Sequence, residues 1–189
     1  MSGLLSLWLP ILVSAVAIFI ASFLAWVVLP HHKPDFKGLP DEDGVVGPVK
    51  AANLAPGVYM FPWCGNDHNN PEYARKAKEG PNGVLHVWAG QPNMGKNLGL
   101  SMAFYLLVSV IVAYVGTISL GPGVGFMEVF RLTGTVAIMA YALGAIPNAI
   151  WFQKPGRAML MDFVDGVAFG LITGAIFGWL WPATSVPGL

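Results

Sequence analysis

The sequence predicts an all-α membrane protein with four transmembrane helices and one large loop between helices 1 and 2. Of its 189 residues, 55% are hydrophobic and only 11% are charged, a composition too apolar for an ordinary soluble domain. Four apolar runs are each long enough to cross the ~30 Å hydrocarbon core of a bilayer, which takes about 20 helical residues. The formal net charge is zero, so the chain lacks the basic footprint of a nucleic-acid-binding protein and we expect no nucleic-acid partner.

The four predicted spans follow from these runs and from the prolines near their ends. The first span lies within residues 1–29, contains no charge and is too long for a secretory signal, so we expect it to remain as a helix. The others are predicted at residues 98–120, 129–152 and 158–181. Prolines follow all four spans, at Pro30, Pro122, Pro155 and Pro182. Pro147 lies inside the third span and should kink it near its exit.

The distribution of Lys and Arg predicts the orientation of the chain. Residues 30–97 contain seven of these side chains, and the short turn between the third and fourth spans adds Lys154 and Arg157. On the opposite side of the membrane only Arg131 is expected. The positive-inside rule therefore places the large loop in the cytoplasm and both termini outside.

Residues 30–97 form the predicted cytoplasmic loop region, which contains short helix and strand pieces. Residues 41–54 are predicted to form one or two helical turns, and residues 71–80 a short helix with proline at its start and glycine at its end. Residues 57–62 and 84–88 are predicted to be strands. A two-stranded hairpin is marginally stable alone, so we expect this region to lie against the membrane surface or a partner.

Glycine recurs at every fourth position of the fourth span, which places these residues on one helical face. The members of this glycine face are Gly166, Gly170, Gly174 and Gly178. An interior glycine destabilises a helix by about 1 kcal/mol relative to alanine, but in lipid a face without side chains lets a second helix approach closely. We predict that the face packs within the protein's own bundle or docks a different protein. Small residues on the first span would complement it, namely Ala17, Ala21 and Ala25.

Two acidic residues lie well within a predicted span, and acids in the membrane are functional candidates. Asp162 and Asp165 belong to the first two predicted turns of the fourth helix, where the positive end of the helix stabilises a carboxylate. Asn148 is predicted to face them from the third helix. A structural, interfacial role is favoured over a proton or ion path, which stays the alternative.

The histidines and the single cysteine do not predict a metal centre or a catalytic pair. Cys64 and His68 are four residues apart, with His31, His32 and His86 in the same loop, but zinc sites usually take four N or S ligands in close pairs. We interpret His31 and His32 as interfacial polar residues. The segment around Cys64 is rich in glycine and asparagine, which favours a turn over a rigid nucleophile site. No histidine falls within a predicted span, which argues against axial ligation of haem or chlorophyll there, and we expect no cofactor.

Several strings in the chain resemble a family of small, uncharacterised bacterial inner-membrane proteins with four transmembrane helices. These strings, in order, are LPHHKPDFKGLPDED, PGVYMFP, QPNMGKNLGL, FRLTGTVA, IPNAIWF and FGWLWP. The resemblance covers nearly the whole chain. It implies a multi-pass protein of the bacterial inner membrane with four spans, and it implies no activity.

Together these features favour a non-catalytic accessory subunit of a larger bacterial membrane complex. Such a subunit would position neighbouring membrane proteins through packing of the glycine face, in a respiratory assembly or a photosynthetic reaction-centre and antenna assembly. Its expected partners are membrane lipids and other integral membrane proteins. The first alternative is a small transporter or channel that uses Asp162 and Asp165, and the second is an enzyme that works through Cys64.

Overall fold

The computed structural model describes residues 2–67 and 69–183, and within them four helices are long and apolar enough to cross a membrane. These helices are Trp8–Val28, Met94–Ser119, Phe126–Trp151 and Gly156–Leu180. The predicted class, a mostly helical protein with four membrane-spanning helices, is therefore confirmed. The chain divides into two units, a helical unit formed by Met1–Phe36 with Met94–Leu189 and a second unit formed by Lys37–Asn93.

The first span changes its helical geometry before it ends. After a short helix α1 (Ser2–Leu5), helix α2 (Trp8–Phe23) continues into a π-helical turn, Leu24–Val28. A 3₁₀ helix, Pro30–Asp35, follows directly. Pro30 lacks an N–H and restricts the residue before it to extended backbone, which ends the span. The 3₁₀ turn therefore carries the polar residues that follow Pro30 on a tight bend.

The second unit contains two short helices and a two-stranded antiparallel sheet. Its elements are helix α3 (Glu42–Ala51), strand β1 (Gly57–Phe61), helix α4 (Pro71–Glu79) and strand β2 (Gly83–Val87). Tyr59 pairs with Leu85 at the centre of the sheet. Neither helix has a buried residue, so this unit has little apolar core of its own.

The third span is also interrupted. Helix α5 (Met94–Ser119) forms the second span, and helix α6 (Phe126–Ile138) begins the third. A π-helical turn, Met139–Leu143, then separates α6 from helix α7 (Ile146–Trp151). Pro147 lies in the first turn of α7, where the N–H that proline lacks would have no partner within the helix. Its ring would meet the carbonyl four residues earlier in a continuous α-helix, which explains why the α-helix stops before it.

The fourth span, helix α8 (Gly156–Leu180), packs its glycine face against the third span. A Cβ atom added at Gly166 would lie 2.6 Å from Cα of Ala142, and one added at Gly174 would lie 2.9 Å from Cα of Gly134. All four glycines of the face approach residues of the third span, namely Phe126, Phe130, Gly134, Ile138 and Ala142. The two backbones are therefore too close for a side chain at Gly166, Gly170 and Gly174, whereas at Gly178 the nearest atoms belong to the ring of Phe126.

This arrangement corrects the predicted pairing of the glycine face with alanines of the first span. The atoms nearest to the four glycines belong to the third span, while Ala17 and Ala21 are half-buried and Ala25 is buried elsewhere in the helical unit. The physical reason is that α6 also has a glycine, Gly134, opposite Gly174. A glycine on each helix lets α6 and α8 approach more closely than an alanine on one of them would. Small residues on both partners select the third span.

The first span packs mainly on the second and fourth spans. Ser14 donates a hydrogen bond to the backbone oxygen of Pro10 at 2.7 Å, and its hydroxyl lies 3.0 Å from that of Ser109 on α5. Phe177 on α8 and Val129 on α6 are both fully buried in the core of the helical unit. The bundle thus fixes the end of α2 beside the start of α8.

Candidate functional site

Two consecutive histidines from the end of the first span converge on one aspartate of α8. Nε2 of His31 lies 3.1 Å from Oδ1 of Asp165, and Nε2 of His32 lies 3.0 Å from its Oδ2. The side chain of His32 is 3% exposed, that of Asp165 14% and that of His31 24%. These three side chains form the histidine–aspartate cluster. It joins the 3₁₀ turn to the fourth span at the end of the helix bundle.

The ring of His32 is held in one orientation from two further directions. Its Nδ1 atom lies 2.7 Å from Oδ2 of Asp35, three residues later in the same 3₁₀ turn. Its face stacks on the indole of Trp26, with the ring centroids 3.9 Å apart and the planes only 4° from parallel. Because Trp26 belongs to the π-helical turn, the change in helical geometry places this aromatic wall beside the cluster.

Arg157, in the first turn of α8, fixes the 3₁₀ turn from outside. One guanidinium nitrogen donates to Oδ1 of Asp35 at 2.6 Å, and the other donates to the backbone oxygen of His31 at 2.7 Å. A guanidinium has a rigid fork of donors that suits two acceptors at once. Arg157 thus positions both Asp35 and the backbone that carries the two histidines.

Hydrogen bonds and charges shift the pKa values of His32 and of its neighbour Asp35. Burial of His32 disfavours its protonated form, but the hydrogen bonds and negative charges of Asp35 and Asp165 together outweigh burial and raise the pKa of His32 above its ordinary value. The hydrogen bond from His32 is the largest effect on Asp35 and holds the pKa of that carboxyl below its usual range. Burial opposes this shift, and the positive charge of Arg157 supports it.

Both ring nitrogens of His32 face carboxylate oxygens, which only accept hydrogen bonds when ionised. A neutral imidazole has a single N–H and can satisfy only one of these two acceptors. Arg157 neutralises one of the two carboxylates, Asp35. The arrangement therefore calls for one more positive charge between His32 and Asp165, either a proton on the second nitrogen or another cation.

A cleft of about 260 Å³ adjoins the cluster. Its wall includes aromatic and acidic residues of the first, second, third and fourth spans, among them Trp26, Tyr105, Tyr141, Asp162, Asp165 and Phe169. Asp162 forms an ion pair with Lys154, yet its buried Oδ1 atom has no hydrogen-bond partner among the described residues. The cleft thus combines an apolar wall with polar groups that have unused hydrogen-bonding capacity.

The structure places the three predicted intramembrane polar residues in different environments. Asp165 is bound by His31 and His32, and Asp162 is bound by Lys154. Because α8 begins at Gly156, earlier than predicted, Asp165 lies beyond the first two turns, and side chains stabilise it where the helix end was expected to do so. Asn148 is exposed on α7 and does not line the cleft.

The residues predicted around Cys64 lie in the other unit. Cys64 is half-buried, and its Sγ atom lies 3.6 Å from the backbone oxygen of Gly65. His68 lies outside the described residues, so the structure does not test a pairing of Cys64 with His68. His86 is exposed on β2.

His31 and His32, interpreted from the sequence as interfacial polar residues, both bind one carboxylate of another span. A signal for this was present in the sequence. In a four-span chain the end of the first span and the start of the fourth lie on the same side of the membrane. His31, His32 and Asp165 therefore belong to the same half of the bundle, and their contact is possible if the two helices are neighbours.

Fold and cluster together define a four-span helical membrane protein with a histidine–aspartate cluster where the first and fourth spans meet. Comparisons with protein-family models, curated proteins and solved structures gave no match.

Proposed function

We propose that the protein is a non-catalytic accessory subunit of a larger complex in the bacterial inner membrane, of the respiratory or the photosynthetic reaction-centre and antenna type. The observation that carries this proposal is the surface of the second unit. Trp63 and Trp88 lie outside the membrane-spanning helices and are 71% and 69% exposed. Exposed aromatic side chains of this size are typical of surfaces that another molecule covers.

The glycine face contributes to this function indirectly. It is filled by the third span of the same chain, so it stabilises the bundle and is not free for a neighbouring protein. The docking surface then consists of the second unit, with the lipid-facing sides of the spans in contact with lipids or with other integral membrane proteins. In lipid those apolar sides need no protein partner, which leaves the second unit as the selective part.

The proposed orientation places residues 30–97 in the cytoplasm and both termini in the periplasm. It is supported by the excess of Lys and Arg in this loop and in the turn that holds Lys154 and Arg157. The assignment to the bacterial inner membrane rests on the family resemblance of the sequence. In this orientation the exposed tryptophans would meet cytoplasmic parts of a host complex.

Extraction in a mild detergent followed by native electrophoresis tests the proposal. The chain should migrate with a large complex, and the double variant Trp63→Ala with Trp88→Ala should migrate mostly as the free protein while its amount in the membrane stays unchanged. Lys78→Ala is the matched control, because Lys78 is exposed on α4 of the same unit. Migration of the wild-type chain alone or as a small homo-oligomer in every mild detergent would overturn the proposal.

A small transporter or channel is the second candidate, and the cleft that contains Asp162 and Asp165 favours it. Acids in the membrane that line a cavity are typical of ion pathways. Both carboxylates already have cationic or histidine partners, which favours a structural role. In reconstituted vesicles, an ion flux that disappears in Asp165→Asn would establish the transporter function, whereas no flux above that of empty vesicles would exclude it.

A further inference from the structure

We propose that the histidine–aspartate cluster is a binding site for one divalent transition-metal ion. Nε2 of His31, Nε2 of His32 and a carboxylate oxygen of Asp165 would be its three protein ligands, with water from the cleft in the remaining position. Two imidazoles and a carboxylate form a donor set that suits Zn²⁺ and its neighbours in the first transition row. The site is independent of the proposed accessory role.

The distances between the donor atoms fit a metal ion. In a tetrahedral site with bonds of about 2.0–2.1 Å, neighbouring donors lie about 3.3–3.4 Å apart. The two imidazole nitrogens lie 3.1 and 3.0 Å from the oxygens of Asp165, and the three ligand atoms all lie within 4.8 Å of one another. The two distances to Asp165 are thus within a few tenths of an ångström of the tetrahedral value, and rotation of the partly exposed His31 side chain can adjust the spacing between the two imidazoles.

The surroundings of His32 match those of a metal-bound histidine. Such a residue usually donates its other ring N–H to a carboxylate, which fixes the tautomer and leaves the remaining nitrogen free to bind metal. Asp35 accepts from Nδ1 of His32 in this way, and Arg157 in turn holds Asp35. The stack on Trp26 fixes the ring plane. Nε2 is thus aimed at Asp165 before any ion binds.

A metal ion also resolves the excess of acceptors around this ring. Asp35 and Asp165 face opposite nitrogens of His32, and a neutral imidazole can donate to only one of them. An ion between Nε2 and Asp165 replaces the missing donor. Asp165 lies in the wall of the 260 Å³ cleft as well as in the cluster, so the cleft provides the entry path that a metal site needs.

The test measures binding of Co²⁺ and Zn²⁺ to the full-length chain, purified in mild detergent with a tag that contains no histidine. Equilibrium dialysis should give one saturable equivalent of either ion per chain, and bound Co²⁺ should show the visible absorption of a low-coordinate nitrogen and oxygen site. X-ray absorption of the Zn²⁺ form should show imidazole ligands. A sulfur ligand would assign the ion to Cys64 and would overturn the proposal.

Four variants make the assignment specific. His31→Asn and Asp165→Asn each remove one ligand and should abolish saturable binding. Asp35→Asn should weaken binding about 10–100-fold, the usual effect of losing the partner of a metal-bound histidine. His86→Asn, the control on the exposed face of β2, should bind like the wild type.

Loss of metal binding is informative only in variants that still fold. Far-UV circular dichroism and gel filtration establish which variants are folded. If Asp165→Asn does not fold, metal binding by His31→Asn tests the proposal, because His31 is the most exposed of the three ligands. Unchanged stoichiometry in His31→Asn, loss of binding in His86→Asn, or no saturable binding to the wild type would each overturn the proposal. These measurements use the isolated chain, so they are independent of any host complex.

Discussion

At the residue scale, the cluster shows how the surroundings of a side chain decide its role. His31 and His32 are adjacent in sequence, yet His32 is almost fully buried between Trp26 and two carboxylates while His31 remains partly accessible. The sequence reveals both histidines but not this difference. The difference arises because the ring of His32 stacks on Trp26 and lies between Asp35 and Asp165, and residue type alone does not predict these contacts.

Arg157 is the residue whose replacement should most directly loosen this turn. Arg157→Lys keeps the charge, but a single ammonium lacks the planar fork that reaches both Asp35 and the backbone oxygen of His31. We expect the melting temperature in detergent to fall by a few degrees. Arg131→Lys is the control, since Arg131 is exposed at the start of the third span. Equal melting temperatures for both variants and the wild type would show that the fork does not stabilise the turn.

At the element scale, the sequence predicts where the spans lie better than how they change within their length. The apolar runs and flanking prolines locate four helices because length and hydropathy are properties of a whole segment. The π-helical turns Leu24–Val28 and Met139–Leu143 carry no comparable signal. Each precedes a proline by a few residues, and each supplies an aromatic residue, Trp26 or Tyr141, to the wall of the cleft. Such turns often occur at functional sites.

Packing of α6 against α8 gives the prediction at this scale. Gly174→Leu should destabilise the isolated chain by at least about 1–3 kcal/mol, the usual effect of overpacking, because its Cβ would lie 2.9 Å from both Cα of Gly134 and the backbone oxygen of Phe130. Gly99→Leu is the matched control. Gly99 lies in α5, where an added Cβ meets nothing within 4 Å, so leucine should be tolerated there.

Heat denaturation in detergent measures both variants. Leucine raises intrinsic helix propensity at either position, so a loss of stability in Gly174→Leu alone must come from contact between the two spans. Equal stability of Gly174→Leu and the wild type would show that α6 and α8 are not in backbone contact at Gly174.

At the scale of the whole molecule, composition determines the class and leaves the partners open. A chain with 55% hydrophobic residues and four long apolar helices belongs in a membrane. Which helix neighbours which is a different question, because every span is mostly apolar and lipid competes with protein for each apolar face. The glycine face shows this limit: its existence is plain from the sequence, but its partner depended on Gly134 of the third span.

The orientation of the chain in the membrane is the prediction that concerns the molecule as a whole. In a Cys64→Ser background, a single cysteine is introduced either at exposed Lys78 in the second unit or at exposed Gly121 between the second and third spans. One candidate span separates these positions, so we expect them on opposite sides of the membrane. The charge asymmetry predicts that Lys78→Cys faces the cytoplasm and Gly121→Cys faces the periplasm.

A thiol reagent that does not cross the membrane holding the chain reports this orientation in intact cells. Gly121→Cys should react before lysis, and Lys78→Cys should react only after it. The two variants control for each other, since both positions are exposed and differ in side. The reverse pattern would place the loop and its tryptophans in the periplasm. Any host complex would then contact the second unit from the periplasmic side. That result would also show that the Lys and Arg residues near the helix ends do not determine the orientation of the chain.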